Sequence, residues 1–99
     1  MKILLNATLY ENNNKKQDIK QLAILENNKI KYISENTITI FNTKEEIITR
    51  KNKDYEIIIE FITKKIIYKY NNNQIEIPII VKNIQKEKNY HKIEYVPPF

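Results

Sequence analysis

The chain has 99 residues, with 17 basic and 12 acidic side chains, one histidine, and neither cysteine nor glycine. A chain of this length supports one hydrophobic core, so we expect a single domain over residues 1–99. Without glycine it cannot build phosphate-binding loops in which the backbone approaches the ligand, and without cysteine it has no thiolate metal site, disulfide or thiol nucleophile.

The N-terminal segment predicts a strand and not a targeting sequence. Lys2 precedes only three consecutive apolar residues, at positions 3–5. A signal-peptide core needs roughly 7–15 apolar residues and a membrane span roughly 18–20. We therefore expect a cytoplasmic protein with no membrane span, and the alternation through residues 2–10 indicates a β-strand.

The same two-residue alternation of apolar and polar side chains recurs along the chain. It places one face of each strand on a core and the other toward solvent. Strands are predicted at residues 2–10, 17–25, 29–34, 37–41, 46–51, 55–62, 66–70, 74–83 and 91–96. The predicted core contains Ile57, Ile59, Phe61, Ile77, Ile79 and Ile93. Residues 16–25 also fit a helical stripe, but this stretch is short and uncapped, so we expect at most one helical turn there.

Short polar clusters separate these strands, and most of them contain asparagine. Hairpin turns often need a positive φ, which glycine usually supplies and asparagine tolerates next best. Since glycine is absent, we predict that asparagine takes its place in the turns. Short strands at regular spacing are typical of an all-β sandwich or barrel. Pro97 and Pro98 then end the last strand, because they lack backbone donors.

Several short segments occur in a recognisable order: a hairpin at residues 25–32, a strand ending in arginine at 47–52, residues 75–79 followed by Ile84, and an Ile-x-Tyr strand at 93–95. In this order they resemble the YwiB-like bacterial proteins, a calycin-like β-barrel family of unknown function. That family usually has glycine after the arginine, where this chain has Lys51 and Asn52. The resemblance implies a small antiparallel, lipocalin-like up-and-down β-barrel of about eight strands, with an interior that could hold an apolar ligand. It implies no activity.

The candidate ligand-binding residues are Arg50, Tyr32, Tyr68 and Tyr70. Arg50 is the only arginine, and its planar fork suits bidentate binding of a carboxylate or phosphate. We expect it either to bind such a group at the barrel mouth or to pair with a glutamate on a neighbouring strand. The tyrosines lie on or at the ends of predicted strands. An eight-stranded barrel leaves little space beyond its side chains, so we expect a mostly filled interior.

The sequence offers no catalytic or metal-binding constellation. His91 and Ser34 are the only residues of their kinds, and nothing in the spacing brings them together with an orienting carboxylate. Glu56 and Glu60 share a strand face but lie about 13 Å apart by strand rise, too far for a glycosidase pair or one metal site. We therefore predict a protein that is not an enzyme, has no cofactor, and binds a small apolar or amphipathic molecule.

The net charge of +5 supports an alternative function, a basic accessory protein that binds single-stranded nucleic acid or a ribonucleoprotein through a Lys/Tyr face. However, Ile, Lys, Asn and Tyr supply 58 of the 99 residues. These amino acids have adenine- and thymine-rich codons, so we attribute the charge to an AT-rich genome. We expect lysines on all sides of the barrel, no concave basic stripe, and only weak nucleic-acid binding.

Overall fold

The computed structural model, which describes residues 1–11, 14–87 and 90–96, is all-β. Its strands are β1 (Lys2–Glu11), β2 (Asn14–Glu26), β3 (Lys29–Ser34), β4 (Thr37–Asn42), β5 (Ile47–Lys51), β6 (Tyr55–Glu60), β7 (Lys65–Tyr70), β8 (Asn73–Pro78), β9 (Ile80–Glu87) and β10 (Tyr90–Val96). The predicted all-β class and antiparallel meander are confirmed. Residues 16–25, the helical alternative, lie within β2.

Strands β1 to β8 form one antiparallel sheet in which each strand pairs with the next along the chain. The sheet is not closed, in contrast to the closed barrel that we expected: among the described residues β1 and β8 are its edge strands. β9 and β10 pair with each other as a separate two-stranded ribbon.

The strand predicted at residues 74–83 is two strands that belong to different sheets. β8 ends at Pro78, which lies opposite Lys65 in a pair that exchanges no ladder hydrogen bonds. The Ile79 N–H donates to the Lys64 carbonyl at 3.0 Å, and the chain then enters the ribbon. Periodicity could not reveal this change because the alternation continues through it.

Asparagine takes the place of glycine in the turns, as predicted. Positive φ angles occur at Asn27, Asn28, Glu35, Asn36, Glu46, Lys64, Asn71 and Asn72. The two-residue hairpins at 27–28, 35–36 and 71–72 need positive φ at both positions, which is the type I′ geometry. Asn52 acts differently: its Oδ1 accepts the Tyr55 N–H at 3.0 Å and closes the β5–β6 loop.

The register divides the side chains of β1–β8 between two faces. We call the face that carries Ile57 and Ile59 the inner face, and the one that carries Glu56 and Glu60 the outer face. Most described inner-face hydrocarbons are buried or half-buried. The outer face varies along the sheet: Leu22 of β2 is 71% exposed, whereas Ile67 of β7 is 9% exposed.

The lower end of the inner face, at the hairpins 27–28, 43–46 and 61–64, is closed. Phe61 is 1% exposed, Ile79 6% and Glu46 2%. The ribbon starts beside the Lys64 carbonyl, and Lys86 of β9 contacts the Glu46 carboxylate. The ribbon therefore meets the sheet at the 43–46 hairpin, through Lys86 and Glu46. The opposite end, at the hairpins 35–36, 52–54 and 71–72, we call the upper end.

The fully buried core is small. Among the described side chains the buried hydrophobic residues are Ala23, Phe61, Ile67 and Ile79. The predicted core is thus confirmed at Phe61 and Ile79, while Ile57, Ile59, Ile77 and Ile93 are half-buried. The chain exposes 7940 Å² for 12.0 kDa, whereas a compact monomer of that mass exposes about 6,000 Å². Because the described sheet is not closed, it has no enclosed interior in which the expected filling by side chains could be tested.

Candidate functional site

The register places all four candidate residues on the inner face. Residues directly opposite one another across β3–β8 form what we call the arginine row: Tyr32, Thr39, Arg50, Ile57, Tyr68 and Ile75. Arg50 lies two strands from Tyr32 and two strands from Tyr68, a backbone separation of about 10 Å in each direction. Tyr70 lies on the same face, two residues beyond Tyr68 along β7 and nearer the upper end.

The next row toward the lower end contains only hydrocarbon side chains. This aliphatic row consists of Leu25, Ile30, Phe41, Ile48, Ile59, Ile66 and Ile77, opposite one another across β2–β8. Each of these side chains is half-buried. The inner face therefore changes along the strands from a buried lower end, through partly exposed hydrocarbon, to a row that carries a cation and phenol groups.

Arg50 is exposed and stands apart from the acidic residues. Among the described strand side chains of β1–β8 it is the only charged group on the inner face. Its cross-strand neighbours are the buried Thr39 and the half-buried Ile57, and Glu56 and Glu60 lie on the outer face. The expected pairing of Arg50 with a glutamate of a neighbouring strand is not formed within the described residues. Arg50 is therefore an exposed cation on a face that otherwise carries uncharged strand side chains among the described residues.

Tyrosines line the upper part of the inner face beside the edge strand β8. The Tyr55 and Tyr68 rings stack, with centroids 6.1 Å apart and planes 14° from parallel. Tyr68, Tyr70 and Ile75 contribute to an open depression of about 380 Å³. A second, more polar depression of about 420 Å³ lies between the hairpins 52–54 and 71–72, and Tyr55 and Tyr70 contribute to its lining. Tyr55 was missing from the predicted site, although its alternation with Ile57 and Ile59 already puts it on the same face as those residues.

The polar residues considered for catalysis are not brought together. Ser34 is exposed at the upper end of β3. His91 lies in β10, and its side chain is outside the described ones. Glu56 and Glu60 face outward and pair with lysines. The described residues contain no group of three carboxylate or imidazole side chains suited to a metal ion, and no helix in this part of the chain is long and apolar enough to cross a membrane.

The lysines occupy the opposite side of the sheet from the tyrosines. The β1–β8 lysines with described side chains all lie on the outer face: Lys2, Lys20, Lys29, Lys31, Lys51, Lys65 and Lys69. These lysines come from five strands, β1, β2, β3, β5 and β7, in keeping with the expected dispersion, and none of them lies on the inner face. Lys31 and Lys69 project away from Tyr32, Tyr68 and Tyr70, so the register does not combine them into a Lys/Tyr face for nucleic acid.

Comparisons with protein family models, curated proteins and solved structures give no match to this chain. The chemistry of the site therefore follows from its own residues. These provide a partly exposed hydrocarbon surface, closed at one end, with an arginine and several tyrosines toward the open end.

Proposed function

We propose that this protein is a non-enzymatic binding protein that holds a small amphipathic molecule with an acidic head group on its inner face. Arg50 carries the proposal, because it is the one charged strand side chain described on a hydrocarbon surface and no described carboxylate pairs with it. A guanidinium binds carboxylates through parallel hydrogen bonds that are stronger than those between neutral groups. An acidic head group supplies this missing partner.

The hydrocarbon part of the ligand lies along the aliphatic row, with its end toward the lower end of the sheet. Ile48 and Ile59 are half-buried and still expose apolar surface in the free protein. Covering such surface contributes about 25 cal/mol per Å² to binding. Tyr68 and Tyr70, with an apolar ring and a polar hydroxyl, suit the boundary between the tail and the solvent.

A calycin-like calyx is part of this proposal. The resemblance to YwiB-like proteins implies a barrel whose interior could hold an apolar ligand. The eight-stranded antiparallel meander, buried at its lower end, supports a ligand on the inner face. The gap between β1 and β8 gives the ligand a lateral entrance. The large exposed area of the free chain is in keeping with an apolar surface that a ligand covers. The proposed location of the protein is the cytoplasm.

Calorimetric titration with a long-chain fatty acid and with the alcohol of the same chain length tests the proposal. The wild type should bind the acid. Arg50→Gln should weaken acid binding about 10- to 100-fold, since a hydrogen bond to a charged group contributes about 1.5–3 kcal/mol. It should change alcohol binding by less than about threefold, because the hydroxyl has no charge to pair. Lys44→Gln, which removes an exposed hairpin cation, is the matched control.

Two results would contradict the proposal at different levels. If the wild type bound neither the acid nor the alcohol, the inner face would not be a site for such molecules. If Arg50→Gln weakened the binding of acid and alcohol equally, the site would stand but the head group would lie elsewhere.

A further inference from the structure

A second apolar surface lies on the outer face, over β1–β4. Five large hydrophobic side chains there are exposed, and we call them the outer patch: Leu4, Leu22, Ile24, Ile33 and Ile38. Leu4 lies directly opposite Leu22, and Ile33 opposite Ile38. The Gln21 side chain donates to the Ile33 carbonyl at 3.3 Å, which joins β2 to β3 beside the patch. The outer patch therefore runs across four adjacent strands.

Exposed lysines surround the outer patch. Ile24 has Lys2 and Lys31 as its direct cross-strand neighbours, and Ile38 has Lys51. Lys20 and Lys29 lie on the same face. Within the described part of the chain, none of these lysines has a carboxylate at ion-pair distance. Glu26 is the acidic residue that this face of β1–β4 carries among its described side chains.

The outer face of β6–β8 is built differently. Lys69 Nζ lies 3.4 Å from Glu56 Oε1. Lys65 Nζ lies 3.7 Å from Glu76 Oε1 and 3.9 Å from Glu60 Oε1. Positive and negative charges therefore balance locally on this half of the outer face. Only the half over β1–β4 combines exposed hydrocarbon with an excess of positive charge among the described residues.

We propose that the outer patch docks on an anionic membrane surface. A second copy of this chain bound through the same patch would bring lysines against lysines, because a two-fold interface places like surfaces together. A layer of anionic head groups is complementary instead: Leu and Ile side chains enter the head-group boundary, and lysine stems lie along it with their ammonium groups at the phosphates. The inner face then points away from the membrane and stays accessible. This inference does not depend on the proposed ligand.

Flotation with vesicles of phosphatidylcholine, with and without phosphatidylglycerol, tests the inference. The wild type should bind the anionic vesicles only, and added salt should weaken this binding by screening the lysines. Replacing both Leu22 and Ile33 with serine should abolish binding. Ile62→Ser is the matched control, since Ile62 is 65% exposed but lies in the β6–β7 hairpin.

A second pair of variants tests the contribution of the lysines without changing the hydrophobic side chains of the outer patch. Lys31→Gln should weaken binding about fivefold, the effect of one cation near an anionic surface. Lys82→Gln, in the ribbon, should leave binding unchanged. Absence of binding, equal binding to neutral vesicles, or equal losses in patch and control variants would overturn the inference. A dimer in solution that the Leu22/Ile33 double variant dissociates would also overturn it, because the patch would then bind a second copy.

Discussion

The lower and upper ends of the inner face are formed by the same strands, yet they have opposite properties. At the lower end Phe61, Ile79 and Glu46 are buried, and Lys86 of the ribbon contacts Glu46. Toward the upper end Arg50 and Tyr70 are exposed. The alternation of side chains is the same at both ends, so alternation alone does not explain the difference. We infer that the lower end stabilises the fold and that the upper end is available for binding.

The largest expected loss of stability is at Phe61, and it should exceed the loss at nearby Ile59. Phe61→Ala should lower the free energy of unfolding by about 3–5 kcal/mol, as truncation of a buried phenylalanine does. Ile59→Ala, two residues nearer the upper end, should cost only about 1–2 kcal/mol because this side chain is half-buried. Urea denaturation of both variants measures the difference. Equal losses would show that burial does not fall toward the upper end.

A smaller effect tests the link between the ribbon and the sheet. Lys86→Met should destabilise the protein by about 1–3 kcal/mol, because the buried Glu46 carboxylate loses this charged partner. Lys82→Met on the same strand is the control and should stay within about 0.5 kcal/mol. If the two variants unfolded at the same urea concentration, the contact of Lys86 with Glu46 would not hold the ribbon in place.

Stacking of the tyrosines at the upper end should contribute less to the free energy of unfolding than the contact of Lys86 with Glu46. Tyr68→Leu keeps an apolar side chain but removes the ring that stacks on Tyr55, so we expect a loss of about 0.5–1.5 kcal/mol. Tyr32→Leu, which removes a tyrosine of the same row without this stacking partner, provides the comparison. The double variant Tyr55→Leu/Tyr68→Leu completes a thermodynamic cycle, and an interaction energy of zero would contradict the stacking contribution.

The smallest expected change in stability is at Arg50. Arg50→Gln should alter the free energy of unfolding by less than about 0.5 kcal/mol, because the side chain is exposed and makes no described ion pair. A loss as large as that of Lys86→Met would indicate that Arg50 stabilises the fold, and its availability for a ligand would then be in doubt.

Local sequence patterns predict the strands and their two faces well. Alternation already puts Arg50 on the face of Ile48, and Ile57 on the face of Ile59, as the register shows. Asparagine at positions 27–28 and 71–72 marks the hairpins, because a chain without glycine needs another residue that tolerates positive φ. Strand faces and hairpin turns depend on residues that are close together in the chain, so a single sequence is enough to predict them.

Features that depend on contacts between residues far apart in the chain could not be predicted from local sequence patterns. Nothing near Pro78 tells that the following residues leave the sheet, since alternation continues past it. Glu46 looks like a solvated turn residue, yet it is 2% exposed and contacts Lys86, which lies 40 residues further along the chain. Alternation also gives no information about whether β1 meets β8, so the open sheet was not foreseen. The outer patch was missed because its members come from four separate strands.

The orientation of a bound fatty acid tests the central claim most directly. Isotope-filtered nuclear Overhauser spectroscopy of the complex reports which protein protons lie near each end of the ligand. We predict contacts from the terminal methyl group to Ile48, Ile59 and Phe61, and contacts from the carboxyl end to Arg50 and its neighbours in the arginine row. A terminal methyl group near Tyr70 at the upper end, or near Leu22 on the outer face, would contradict this assignment of the two ends.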